Sequence, residues 1–212
     1  MKNNHQKKLI ISLIKSNNIN NNIIKSVYKI IKKENHLAII SHLNFKLIKK
    51  FINLILKSKD IYFFILIKNN ETIGYIILSK NPNQIFDDAK EIKKYILYDL
   101  LKSLKLIIIL NLVIKLFNID KIFFSKKKYT TYNKTLNLSY LAIKGDQQSK
   151  GMGKYFVLNI LKIMKKKFNK KYVTVDTKDP KTMKFYQRKC NFKYFSKKIE
   201  LFKFTKIYSK KI

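Results

Sequence analysis

The sequence predicts an α/β protein built on a mixed sheet, and three observations carry this. Two apolar runs of strand length, Ile61 to Ile67 and Thr72 to Ser79, flank the turn-forming stretch "KNNET" and read as a hairpin. The later half alternates strand and helix patterns, which is the signature of an α/β unit. Between the first strand and first helix of that half lies "QSKGMGKYF", which holds two of the chain's four glycines.

The elements follow in order. Residues 1–33 are rich in Asn, Lys and Ile and read as a low-complexity N-terminal extension, at most a frayed helix. The remainder, 34–212, reads as one domain with a full core. "HLAII", His36 to Ile40, reads as a short strand. In "NFKLIKKFINLILKSKD", Phe45, Ile48, Phe51, Ile52, Leu54 and Ile55 recur at helical spacing behind the cap residue Asn44. The hairpin comes next, and Gly74 within it marks a bulge or a close backbone contact. A turn at "NPNQ" then opens a helix from about Phe86 towards Phe117, with Asp87, Asp88 and Glu91 at its positive end. With the polar stretch after it, this forms a helical insertion of about 81–133 between the third and fourth strands. "LNLSYLAIKG" is a strand, a helix runs from Gly151 to about Asn169, and "YVTVDT" is another strand. "DPKTMKFYQRKC" is a helix with Pro180 at its first position, and the final alternation supplies one or two strands. No internal repeat is present.

Composition narrows the function. The formal net charge of +35 suggests a polyanion partner at face value. Arg188 is the single arginine, however, and phosphate and groove recognition draws on arginine's bidentate fork. The excess of Lys, Asn, Ile, Phe and Tyr reads instead as the coding bias of an AT-rich genome, which disfavours nucleic acid as the partner. One cysteine, Cys190, forms no internal disulfide, and His5, His36 and His42 make no metal-ligand spacing with it. The expectation is a cytoplasmic protein without a metal. The N-terminal apolar run, Leu9 to Ile14, is short for a signal peptide and lacks a cleavage site. "LKLIIILNLVIKLF", Leu104 to Phe117, falls short of the ~20 residues that span a bilayer. A membrane surface is a possible but not a favoured partner, and the choice between monomer and homodimer stays open.

The glycine loop carries the chemistry. Phe156, Val157, Ile160, Leu161 and Met164 form the buried stripe of the following helix, so the loop delivers the chain into a helix N-terminus. Free backbone N–H groups and the helix dipole favour an anion there, and Lys150 and Lys154 add charge. Without side chains at Gly151 and Gly153, a phosphate oxygen reaches several N–H groups. Two common phosphate loops do not fit. A Walker A loop would need glycine where Gln148 stands and Ser or Thr where Tyr155 stands. The dinucleotide fingerprint would need glycine at Phe156. Read alone, the loop is equally an ordinary strand-to-helix turn.

Gln148-x-x-Gly151-x-Gly153, with "LAI" ending five residues upstream, resembles the acetyl-coenzyme A loop of the GNAT family of N-acetyltransferases. "DPKTMKFY" is similar to that family's N-x-x-A-x-x-F-Y segment, with Phe185 and Tyr186 on the aromatic pair and Asp179 and Thr182 in place of Asn and Ala. "KCNF" resembles its K-x-G-F, with Asn191 for glycine and one extra residue after Tyr186. The resemblance is specific over about 136–195.

The resemblance implies that pantetheine pairs with the backbone of Leu141, Ala142 and Ile143, in a gap between splayed central strands. It implies that Gln148, Ser149, Lys150, Gly151, Met152, Gly153 and Lys154 bind the diphosphate, with Asp179 and Tyr186 also beside the coenzyme. An N–H near Ala142 would polarise the thioester carbonyl. Tyr186 would protonate the departing thiolate, the alternative being a core aromatic. The extra residue could instead rotate Gln187 into the site. The implied reaction is acetyl transfer from acetyl-coenzyme A to a primary amine by direct attack in a ternary complex, without a metal. A small metabolite is favoured as acceptor over a protein. Glu71, Asp146 and Asp176 are candidate bases, each also readable as a solvated acid. Cys190 reads as a buried free thiol rather than a nucleophile. Two other readings stay open: a basic nucleic-acid-binding protein, and an inactive coenzyme A-binding domain of the same fold.

Overall fold

The computed structural model describes residues 9–15, 19–35, 38–82, 84–85, 95, 98, 131–132, 134–168, 170–200 and 203–212. Apart from Tyr95 and Tyr98, the expected helix from Phe86 to Phe117 lies outside the described residues, as does nearly all of the 81–133 insertion.

Seven strands form one sheet: β1 (Leu9–Ile14), β2 (Ile61–Lys68), β3 (Glu71–Ser79), β4 (Leu136–Ile143), β5 (Tyr172–Thr177), β6 (Lys193–Glu200) and β7 (Lys203–Lys211). Their spatial order is β1-β2-β3-β4-β5-β7-β6. All neighbours are antiparallel except β4 and β5, which run parallel. The sheet is therefore mixed, as the sequence predicts. The parallel pair needs a crossover, and α3 (Met152–Lys167) supplies it.

Each sheet face buries its own core. On one face, α1 (Asn21–Glu34) and α2 (Phe45–Lys57) pack Val27, Ile31, Ile48 and Ile52 against Phe63, Ile65 and Tyr75. On the other, Phe156, Val157, Ile160 and Met164 of α3 meet Leu136, Leu138, Val173 and Val175. Alternation along each strand divides its side chains between the two cores.

Two expectations are corrected. Within the stretch 1–33, expected as a frayed extension, β1 pairs along β2 over six residues, and α1, which starts there, is part of the core. Low complexity hid a helical period. Ile24, Val27, Ile30 and Ile31 recur at spacings of three and four and are all buried. Asn20 caps this helix, its side chain accepting from the Ile23 N–H at 2.9 Å. Nor do the described residues of "HLAII", 38–40, form a strand. Ile39–His42 is a single tight helical turn, held by Lys32 Nζ donating to the Ser41 carbonyl at 2.9 Å, and Ile40 and Leu43 plug the core beside it.

Other expectations hold. Asn44 caps α2, accepting from the Leu47 N–H at 3.0 Å. The β2–β3 hairpin closes on Asn69 and Asn70, both left-handed (φ 50° and 63°) as a two-residue hairpin turn requires. The C-terminal alternation gives two strands, with β7 between β5 and β6.

Gly74 is both a bulge neighbour and a close contact. Leu66 faces Gly74 while Ile67 faces Thr72, so Ile73 is the extra residue. A Cβ on Gly74 would lie 2.9 Å from the Ala142 carbonyl oxygen and 2.5 Å from Ile143 Cδ1. Ile143 Cδ1 can rotate away, but the backbone oxygen cannot. Gly74→Ala is expected to destabilise the fold by about 1–3 kcal/mol. A lower denaturant midpoint at unchanged slope would show this, and an unchanged midpoint would refute the contact.

Candidate functional site

The parallel pair is where the sheet opens. β4 and β5 pair only at Leu136↔Val173, Asn137↔Thr174 and Leu138↔Val175. β4 runs on to Ile143 against β3, so its last residues leave the β5 side without a partner strand. Ser139 is an extra residue at this point, because Ile77 faces Tyr140 and Leu78 faces Leu138. The bulge bends β4 as it leaves β5.

The amides of β4 divide between the two sides. The Lys144 N–H donates to the Ile73 carbonyl at 2.8 Å, on the β3 side. By alternation, Ala142 also turns its N–H and C=O towards β3, while Leu141 and Ile143 turn theirs to the gap. Ala142 therefore borders the gap with its amide turned to β3, and Leu141 and Ile143 are the two of the three expected residues whose amides face it. The Ile143 carbonyl is already taken by Gln148 Nε2 at 2.8 Å.

At the end of β4 the chain enters the glycine loop. Residues 145–147 form one tight helical turn, in which the Gln148 N–H donates to the Gly145 carbonyl at 3.1 Å. The Gln148 N–H is thus spent inside the turn, and its side chain fastens the loop to β4. Ser149 and Gly151 both take left-handed backbone, at φ 61° and 77°. Gly151 is the N-cap of α3, and no side chain caps that helix. Its first ladder bond is Tyr155 N–H to Gly151 C=O at 3.0 Å, so the Met152, Gly153 and Lys154 amides precede the ladder. Lys150 and Lys154 are exposed beside them, and Met152 is half-buried.

The two loop glycines have different reasons. A Cβ on Gly151 would meet no atom within 4 Å, so its surroundings are open. A Cβ on Gly153 would sit 3.3 Å from the Phe185 ring and 3.8 Å from Ile143. Gly153 thus serves packing within the protein, where the sequence suggested either room for a ligand or an ordinary turn. The same contact draws the third part of the site to the loop.

That part is α4 (Pro180–Lys184), which continues as a widened π turn over Phe185–Lys189. Asp179 caps it, accepting from the Thr182 N–H at 2.8 Å and the Thr182 hydroxyl at 2.5 Å. Burial raises the Asp179 pKa, but the Thr182 and Lys181 interactions outweigh it and leave the carboxyl below its usual value. The π turn absorbs the extra residue after Tyr186, so that Tyr186 is buried while Gln187 stays exposed. The alternative that rotates Gln187 inward is not what the structure adopts. Asn191 takes left-handed backbone (φ 57°), which explains why it can stand where the motif carries glycine.

Tyr186 is 2 % exposed and packs edge-on against Phe185 and Phe192, at ring separations of 5.1 and 5.3 Å. Burial first, and the neighbouring Cys190 second, hold its phenol well above the ordinary value of 10. It is a protonated group at any physiological pH. Burial likewise pushes the Cys190 thiol up to about 11, against the opposing pull of Lys210 and Lys154. Cys190 is therefore a thiol rather than a thiolate nucleophile.

The three candidate carboxylates differ. Glu71 pairs with Lys144 at 2.6 Å, and both it and Asp146 are well exposed. Asp176 lies one residue beyond the last β4–β5 pair and accepts from the Tyr132 hydroxyl at 2.5 Å. Sequence reasoning missed Glu34 altogether. Its carboxylate accepts from the Gly145 N–H at 2.9 Å and from Gln148 Nε2 at 2.7 Å. Nothing in the local sequence pairs an α1 residue with a loop 111 positions away. Among the described residues no group of His, Cys, Asp and Glu could hold a metal, and no helix is long and apolar enough to cross a membrane.

A splayed parallel pair feeding a glycine loop and an uncapped helix defines a known class of fold. No protein-family model matches the chain, and no curated protein sequence does. Solved structures do. An acetyltransferase from Thermus thermophilus shares 11 % identity at a TM-score of 0.59, over 97 % of both chains. The ribosomal-protein-S18-alanine N-acetyltransferase from Escherichia coli shares 10 % at 0.55, over 97 % of this chain and 94 % of that one. PaiA N-acetyltransferase from Thermoplasma acidophilum, solved with coenzyme A, shares 14 % at 0.51, over 97 % and 99 %. The chain has the GNAT fold.

Proposed function

We propose that the chain is an N-acetyltransferase of the GNAT family, moving an acetyl group from acetyl-coenzyme A to the primary amine of a small metabolite. The observation that carries this reading is the parting of β4 and β5 after Leu138 and Val175, directly upstream of an uncapped helix N-terminus with open space at Gly151. An amide-bearing arm suits the backbone of Leu141 and the Ile143 N–H, which face that gap. A diphosphate suits the Gly151–Lys154 amides and the flanking lysines. These residues fit the coenzyme, which supplies an acetyl group activated as a thioester.

The chain's own residues then do three things. The gap-facing amides orient the thioester carbonyl and draw charge from it as the amine nitrogen attacks. Tyr186, kept protonated by its burial, gives its proton to the sulfur as the carbon–sulfur bond breaks and regains one from water as the thiol leaves. The attacking amine sheds its proton to water or to Asp176, the one candidate carboxylate on a strand bordering the gap. The products are an acetamide and a free thiol. The lysine-rich surface disfavours strongly cationic acceptors.

A melting-temperature scan with acetyl-coenzyme A, coenzyme A, ATP and NAD tests the reading. Saturating acetyl-coenzyme A and coenzyme A are each expected to stabilise the fold, by about 2.7 kcal/mol at a hundred times Kd. Stabilisation by ATP or NAD without any by coenzyme A would sink the proposal. Binding without thiol release across a panel of small amines would identify an inactive domain of the same fold.

A further inference from the structure

The loop that begins at Gly145 makes few bonds of its own. Its internal backbone bonds are Gln147 N–H to Lys144 C=O at 2.8 Å and Gln148 N–H to Gly145 C=O at 3.1 Å. Beyond them come two left-handed residues, Ser149 and Gly151. Two anchors come from outside it: Lys68 Nζ donates to Gln147 Oε1 at 2.8 Å, and a carboxylate holds the turn and Gln148. Glu34, the last residue of α1, sets one carboxylate oxygen on the Gly145 N–H at 2.9 Å and the other on Gln148 Nε2 at 2.7 Å. The same Gln148 amide donates its second proton to the Ile143 carbonyl at 2.8 Å. One carboxylate thus closes a ring through the turn, the Gln148 side chain and the end of β4. A charged acceptor makes such bonds stronger than neutral ones.

We propose that Glu34 is a positioning residue for the coenzyme: it holds the 145–151 loop in its diphosphate-binding shape and ties that shape to α1, on the opposite sheet face from α3. The inference rests on the reading of this loop as the diphosphate site. A loop shaped before the ligand arrives spares the ligand the cost of ordering it. The effect falls on the diphosphate, because Glu34 bonds only the loop, and the Gln148 bond to the Ile143 carbonyl at the gap does not pass through it.

Calorimetric titration of the full chain with coenzyme A, together with steady-state kinetics, tests this. Glu34→Ala is expected to raise the Kd for coenzyme A about tenfold, in line with loss of hydrogen bonds to a charged group. Glu34→Gln keeps an acceptor for the Gly145 N–H but turns a donor towards Gln148, and is expected to fall between Glu34→Ala and the wild type. Acetylpantetheine, which lacks the diphosphate, separates positioning from general damage: both variants should use it with the wild-type KM and kcat. Equal losses with acetylpantetheine and acetyl-coenzyme A would overturn the proposal, as would unchanged affinity for coenzyme A in either folded variant. If the wild type itself does not bind coenzyme A, the functional reading fails and this inference with it. If the wild type binds and the variants match it, only the role of Glu34 fails. Should Glu34→Ala not fold, Glu34→Gln decides.

Discussion

Gly151→Glu is expected to abolish stabilisation by coenzyme A, with Kd rising about a hundredfold or more. Two effects combine. The backbone at 151 sits at φ 77°, where a side chain is strained by roughly 1–2 kcal/mol. A carboxylate there also stands at the positive end of α3, where the diphosphate is proposed to bind. Gly151→Ala supplies the control. A Cβ at 151 meets no protein atom within 4 Å, so alanine brings strain without a clash or a charge. The glutamate variant should fold, melt within a few degrees of the alanine variant, and gain nothing from coenzyme A. A full ligand-induced shift in Gly151→Glu would remove the loop from coenzyme binding.

The second large effect is on turnover. Tyr186→Phe removes one oxygen from an aromatic cluster that phenylalanine fills equally well. Binding of coenzyme A and the melting temperature should therefore hold, while kcat falls about 10²–10⁴-fold, the usual worth of a positioned acid. Because burial holds the phenol above its ordinary pKa, the wild type should show no alkaline loss of rate from Tyr186 up to pH 10. Wild-type turnover by the phenylalanine variant would make Tyr186 a packing residue only.

Much of the fold was legible in the sequence, for reasons that particular residues show. The Asn44 cap and the hairpin at Asn69 and Asn70 act through neighbours a few positions apart, and local chemistry is what a sequence displays. Residues 9–34 misled because their composition is monotonous, while the buried positions Ile24, Val27 and Ile31 are marked only by period. "HLAII" misled because four apolar residues in a row fit a strand or a plug equally well, and contacts from Lys32 and Ser41 settled which. In the site, the glycine loop and the aromatic pair were visible as motifs. The division of β4 amides between β3 and the gap was not, since it depends on which strand Lys144 bonds to. Gly153 packing on Phe185 and the Glu34 anchor depend on distant pairs and left no trace in spacing.

The π turn at Phe185–Lys189 bears on how this chain compares with others. An added residue in a regular helix swings everything after it through about 100°. Here the Cys190 N–H reaches back five places to the Phe185 carbonyl, and the Phe192 N–H returns to that of Tyr186, so the swing is absorbed within one coil. Length and phase are decoupled along this stretch. A comparison by residue spacing slips by one there, although Cys190 and Phe192 still reach the core.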